Sequence, residues 1–331
     1  MKRYFLLTTA IFFPTFAQTG AIPASLDYSK PAAVQAAPGQ VVTLFLHGIA
    51  PAYGGTLRAA QATGGTKPSS LAGISVRVIQ GPDATWPASL FAVRQENECS
   101  QLTVADLTCF LTSVRLQIPF DLIGDPIRNP QTGLFQLRPL AQLAIDVDGR
   151  PGREFPLQPV ADNSHILTAC DASWDTAGTT ACDRIVYHAN GSVVAEKSPA
   201  KLGEVVYVKA YGLGKTAPAV PTGFPSPAGV AVTEIVPGIP RLSIRIDTNT
   251  LSAVSSAQRL PSDLATSKLP PIPIDSAELI PGEIGTYKVT FTIPKSAELA
   301  LPCGPEVKSN SLLLIGGSMG YYEGIGICVA Q

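Results

Sequence analysis

A thirteen-residue pattern near the start of the chain returns in its second half, and this repetition limits the fold more than any other feature. Pro38-Gly39-Gln40-Val41-Val42-Thr43-Leu44-Phe45-Leu46-His47-Gly48-Ile49-Ala50 aligns with Leu202-Gly203-Glu204-Val205-Val206-Tyr207-Val208-Lys209-Ala210-Tyr211-Gly212-Leu213-Gly214. Both read as a turn, a β-branched strand, and a glycine where the backbone must bend or be approached closely. Val114-Arg115-Leu116-Gln117-Ile118-Pro119 likewise answers Val289-Thr290-Phe291-Thr292-Ile293-Pro294. Leu143 to Val147 answers Leu312-Leu313-Leu314-Ile315-Gly316-Gly317. A duplication of this kind decides the module count. It predicts an all-β chain of two tandem β-sandwich modules, residues 36–162 and 163–331, divided near Ala161-Asp162-Asn163 and preceded by an extended segment, 18–35.

The local signals agree. Ile74-Ser75-Val76-Arg77-Val78, Val205 to Val208, Leu242 to Ile246 and Tyr287 to Ile293 are short, partly alternating and rich in β-branched residues, as strands are. Asp148-Gly149, Asn190-Gly191, Pro237-Gly238 and Pro281-Gly282 punctuate them. Ile185 to Val194 reads as a hairpin on a type I′ Asn-Gly turn. With 29 glycines and 30 prolines, long helices would be interrupted, which excludes a helix bundle. A 45% apolar composition excludes overall disorder, and a net charge of −1 lacks the basic excess of a nucleic-acid binder.

The chain starts with an address. Met1-Lys2-Arg3 is basic, Tyr4 to Phe16 is apolar, and Thr15-Phe16-Ala17 offers a cleavage site, so residues 1–17 read as a signal peptide. The apolar run is shorter than a membrane span, and no second run of spanning length follows it. Export fits the six cysteines, which form sequence-local pairs: Cys99 with Cys109, Cys170 with Cys182, and Cys303 with Cys328. Nearest-neighbour pairing is a preference, since six cysteines allow several connectivities. Zinc is disfavoured because there is no C-x-x-C, and His47, His165 and His188 lack ligand spacing.

The second half also carries a resemblance. Ser192-Val193-Val194, Ser198-Pro199-Ala200-Lys201-Leu202-Gly203-Glu204-Val205-Val206, Tyr211 to Gly214 and Val220-Pro221-Thr222-Gly223 resemble the Ig-like modules of unknown function in secreted acidobacterial proteins. Ser70 to Val76 and Ile118-Pro119 fit the same pattern. The chain departs from it at Glu98 to Ser113, which reads as an insertion carrying Cys99 and Cys109. The resemblance implies an Ig-like fold appended to extracellular proteins, and it brings no catalytic residues.

Several motifs invite a chemical reading. Gly316-Gly317-Ser318-Met319-Gly320 matches the G-x-S-x-G nucleophile elbow, and Leu46-His47-Gly48 resembles an oxyanion-hole turn. In that fold the acid and then the histidine follow the serine, yet all three histidines here precede Ser318. A glycine-rich hairpin is the simpler reading. Asp146-x-Asp148-Gly149 resembles a calcium loop, but the twelfth position of an EF-hand is Leu157, so a hairpin turn is favoured, with a non-EF site using Asp146, Asp148 or Glu154 as the open alternative. Asp171, Asp175 and Asp183 around Cys170, Cys182 and Trp174 form either an acidic binding rim or a solvated loop tip. Asn190-Gly191-Ser192 matches a glycosylation sequon and reads as a turn. Pro218 to Pro227 and Leu269 to Pro273 read as extended edge or loop segments. Tyr321-Tyr322 reads as core or as a contact patch.

No catalytic, cofactor-binding or metal-ligating set emerges. The expectation is a secreted, non-catalytic binding or adhesion protein whose partner is an extracellular protein or glycan. The competing readings are a serine hydrolase using Ser318 and a structural spacer without a ligand.

Overall fold

The protein is described by a computed structural model that covers residues 22–26, 34–99, 106–128, 131, 135–136, 140–168, 170–171, 183–235, 241–248, 259–261, 269–296, 298–299, 301–304, 307, 309–318 and 321–330. The expected signal peptide 1–17, much of the segment 18–35, and Trp174, Asp175 and Cys182 lie outside the described residues. The fold is all-β. One sheet of the first half runs Ile22–Leu26, Val41–His47, Phe110–Gln117, Ser89–Asn97 and Ala59–Gln61, every pair antiparallel. The facing sheet places Ala141–Val147 between Ile74–Gln80 and Glu154–Pro159, and Val34–Ala36 adds to Glu154–Pro159 in parallel.

The second half repeats this pairing order. Val205–Tyr211, Tyr287–Thr292 and Ile274–Leu279 make one sheet. Ser311–Gly317 lies between Leu242–Asp247 and Tyr321–Ile327 in the other, and Ala200–Lys201 joins Val329–Ala330 in parallel. Both halves therefore have the strand order of an immunoglobulin sandwich. The segments aligned in the sequence occupy matching strands, because each alternating run buries one face. Ile74–Gln80 buries Ile74, Val76 and Val78, and Leu242–Asp247 buries Leu242, Ile244 and Ile246. The buried apolar residues form two large clusters, one drawn from 34–157 and the other from 166–329.

Turn chemistry follows the side chains. Asp148 and Gly149 both have positive φ, 51° and 72°, and close a two-residue hairpin from Val147 to Arg150. Ala72-Gly73 does the same between Ser70–Leu71 and Ile74–Gln80. The Asn190-Gly191 turn differs from the expected type I′. Only Gly191 is left-handed, and the His188 N–H donates to the Ser192 carbonyl, so the loop has three residues. The Asn190 side chain accepts from the Ser192 N–H at 3.0 Å, a local bond within the loop.

Disulfides Cys99–Cys109 and Cys303–Cys328 join the expected neighbours. Cys170 is also bonded, and the expected partner Cys182 is not among the described residues. The segment around Cys109 is ordered by Asp106, which caps the short turn Leu107–Cys109 and leads directly into Phe110–Gln117.

The halves meet across a buried polar junction. Gln117 is fully buried, donating to the Gly39 carbonyl at 3.1 Å and accepting from the Gly223 N–H at 2.7 Å. Asn163 bonds Gln35 and Gln40, and Arg241 makes a two-pronged pair with Asp125 at 2.7 and 2.8 Å. The proline-rich 218–227 stretch is part of this junction, since the Gly223 carbonyl also accepts from Lys67. Gly214, with φ +83°, lies so close to the first half that an added Cβ would sit 2.1 Å from the Ala161 carbonyl oxygen. Gly214→Ala is expected to cost about 2–3 kcal/mol in urea unfolding, from overpacking on top of backbone strain. Gly229→Ala, at φ +76° but facing open space, should cost only about 1 kcal/mol.

Candidate functional site

The motifs at Ser318, His47 and Asp146 to Asp148, which had invited a chemical reading, make the following contacts. Ser318 lies in the hairpin between Ser311–Gly317 and Tyr321–Ile327, where Gly316 pairs with Tyr322. Its N–H donates to Asp162 at 2.9 Å and its hydroxyl donates to the same carboxylate. Burial raises the Asp162 pKa, partly offset by these two bonds. His47 stands on a strand of the first half, 3.9 Å from Glu98. Asp146 forms a two-pronged pair with Arg77 at 2.8 and 3.1 Å, and this guanidinium holds its carboxyl below the ordinary range. Asp148 pairs with Arg58. The two carboxylates of the calcium-like motif thus each face a guanidinium, and Leu157 is a buried core residue.

At Asp171 the structure departs from both the solvated loop tip and the acidic rim. Its carboxylate turns inward to accept from the Thr168 N–H at 2.7 Å and to pair with His165 Nε2 at 3.0 Å. Asp183 is exposed. His165 Nδ1 is 3.4 Å from Glu323, which also accepts from the Ile166 N–H at 2.6 Å and Arg184 Nε at 3.2 Å. Burial alone would lower the His165 pKa, but the Glu323 charge and the bonds to Asp171 and Glu323 outweigh it and raise the value to about 10. His165 is therefore a buried cation. Of the tyrosine pair, Tyr322 is buried.

The feature that sequence reading missed is the loop after Ile49. Tyr53 is fully exposed (103%) on the short turn Tyr53–Gly55, with Leu57 also exposed. Gly54 and Gly55 are both left-handed at φ 78°. The loop closes on itself, the Ala52 N–H donating to the Thr56 carbonyl at 2.8 Å. Its base is held by Arg58, whose side chain is buried. Arg58 donates to the Ala50 carbonyl at 2.9 Å, to the Ala72 carbonyl at 2.8 Å, and to both oxygens of Asp148 at 3.0 and 2.6 Å. Gln95 ties the same base to Ile49 and Thr112, at 2.8 and 3.0 Å. A buried arginine thus clamps two hairpin turns and holds out an aromatic ring that makes no contribution to the core. The Ala-Tyr-Gly-Gly stretch was the available signal, but nothing local announces that Arg58 points inward.

Among the described residues, no helix is long and apolar enough to cross a membrane. Neither a protein-family model nor a curated protein matches the sequence. Solved structures with partial similarity include FdeC, an Escherichia coli adhesin, at 10% identity over 91% of this chain and 62% of that one, with a TM-score of 0.19. The Yersinia pseudotuberculosis adhesin InvE is 10% identical over 90% of this chain and 56% of its own, at a TM-score of 0.19. Bacillus subtilis type I pullulanase is 8% identical over 89% of this chain and 26% of its own, at 0.20. The chain thus spans less than two thirds of the length of each of these proteins, and likeness at this level bears on neither activity nor partner.

Proposed function

We propose that this is a secreted binding protein built of two sandwich modules, with the Tyr53 loop as its contact surface for an extracellular protein or glycan. The observation that carries this reading is a fully exposed tyrosine on a backbone pinned by a buried cation. Aromatic side chains on pre-ordered loops make efficient contacts, because little conformational freedom is lost when they are covered. The disulfides and the polar junction suit a chain that works outside the cell as one stiff unit. The bonding of Ser318 to Asp162 supports reading that serine as a turn residue.

The test is a screen of the full exported chain against extracellular-matrix proteins and glycans. Tyr53→Ala should leave the melting temperature unchanged and weaken the captured interaction by about 2 kcal/mol, roughly 30-fold in affinity. A folded protein that captures nothing, or a variant that binds like the parent, overturns the proposal.

A further inference from the structure

A second group of side chains lies in the other half, around a surface cleft of about 530 Å³ lined by His188, Ser198, Pro199, Lys201, Leu202, Gly203 and Glu204. The Ser198 hydroxyl is 3.1 Å from His188 Nε2, and His188 Nδ1 is 2.6 Å from Glu204 Oε1. The other Glu204 oxygen accepts from the Lys201 N–H at 2.8 Å, which orients the carboxylate. His188 is nearly buried, while Ser198 is exposed at the mouth of the cleft. Hydroxyl, imidazole and carboxylate therefore stand in the order and at the spacing that activate a serine nucleophile.

We propose that Ser198, His188 and Glu204 form a nucleophilic site that accepts the acyl group of small carboxylic esters. This goes beyond the binding reading and departs from the expectation of a chain without catalytic residues.

In the neutral ring, Glu204 holds the proton on Nδ1, leaving the Nε2 lone pair to face the Ser198 hydroxyl. As Ser198 Oγ bonds to the ester carbonyl carbon, its proton passes to Nε2. The carbon–oxygen bond to the leaving alkoxide then breaks, and the alkoxide takes that proton. Water, deprotonated by the same imidazole, releases the acid and restores the hydroxyl. The backbone N–H groups of residues 200–203 already donate to Cys328, Glu204, Ala330 and Ile293. Lys201 lines the cleft, so the proposal assigns its ammonium to the developing oxyanion, and the lack of a free backbone donor at residues 200–203 predicts slow turnover on activated esters. The Ser198 carbonyl also lies 3.1 Å from Nε2 and receives its proton when the ring is charged. The His188 pKa is raised, first by the bond to Glu204, so the reaction should speed up as pH rises above the ordinary histidine value.

The experiment treats the purified full chain with a fluorophosphonate and locates the adduct by peptide mass spectrometry. One adduct on Ser198 is expected, absent in Ser198→Ala, retained in Ser318→Ala, and formed about 100-fold more slowly in His188→Gln. Glu204→Gln should move the pH inflection of labelling downward, which a purely structural role would not do. No adduct, an adduct that survives Ser198→Ala, or equal labelling of folded His188→Gln overturns the proposal. Should His188→Gln fail to fold, the exposed Ser198→Ala and the pH profile of the parent decide the matter: a flat profile between pH 5 and 9 overturns it. Loss of partner capture in Tyr53→Ala is a separate readout, so the two proposals can fail independently.

Discussion

Replacing Arg241 with alanine is expected to remove about 3–5 kcal/mol of unfolding free energy, the largest single effect at the junction of the two halves. The Arg241 side chain is 1% exposed and Asp125 is 15% exposed. Beyond Asp125, the guanidinium donates to the Ala161 carbonyl at 2.7 Å and, through Nε, to the Thr233 carbonyl at 2.6 Å. Alanine leaves a buried carboxylate and two carbonyls without their donor, and such groups lose their hydration without compensation. Asp125→Ala strands the cation instead and should cost a similar amount. The double variant should cost clearly less than the sum, because the second change removes a charge whose close partner the first had already taken away, Lys215 at 4.0 Å being the only cation left near Asp125 among the described residues. Urea unfolding of the four proteins measures the cycle, and simple additivity would show that the pair is not coupled.

Glu323→Ala is expected to be nearly as damaging, about 3–5 kcal/mol, since it strips the buried Arg184 of its carboxylate and leaves His165 with Asp171 as its remaining acidic partner. This cluster also sets a pH dependence. The His165 pKa rises on folding from 6.5 to about 10, so its charged form stabilises the fold fully below pH 6.5. That contribution is lost as pH climbs through 10. Glu323 and Asp171 run the other way. Burial would raise them, but His165 holds both at about 2, so their contribution is present above the ordinary carboxylate range and fades as pH falls through 2. Stability from the cluster should peak between about pH 5 and 6.5. His188, also raised by its carboxylate partner, adds a slope of the same sign above neutrality. The decisive quantity is therefore the difference between the parent and His165→Gln, whose unfolding free energy should fall less steeply from pH 7 to 10. Equal slopes would rule out a charged His165.

The strands were legible because their signal is local and periodic. Ile74 to Val78 alternates apolar and polar residues, and the observed strand only extends it to Gln80. Asp148-Gly149 was readable as a turn because both residues tolerate positive φ, and the glycines before Ser318 as a hairpin because the chain order opposed a hydrolase. The Asn190 turn departs from type I′ because the backbone closes from His188 to Ser192 with only Gly191 left-handed, a choice the dipeptide does not announce. Asp171 was misjudged for a different reason. Its partner His165 is close in sequence, but Glu323, which completes the cluster, is 158 residues from His165. Ser198, His188 and Glu204 lie within seventeen residues, yet their spacing follows no recognised motif and they meet only through three intervening turns.

That this chain is β-structured, that its strand pattern occurs twice, and that its cysteines have near neighbours to pair with can be read from the order of its residues. Those properties depend on side-chain period, backbone preference and short loop closure, which act within a few residues. The packing of the sheets is what turns Arg58, Arg241 and Arg184 inward, joins the halves through buried amides, and holds Tyr53 out into solvent. A polar side chain carries no periodic mark of its direction. Whether it faces water or a distant carboxylate is settled when the sheets pack and an unpaired buried charge becomes too costly to keep.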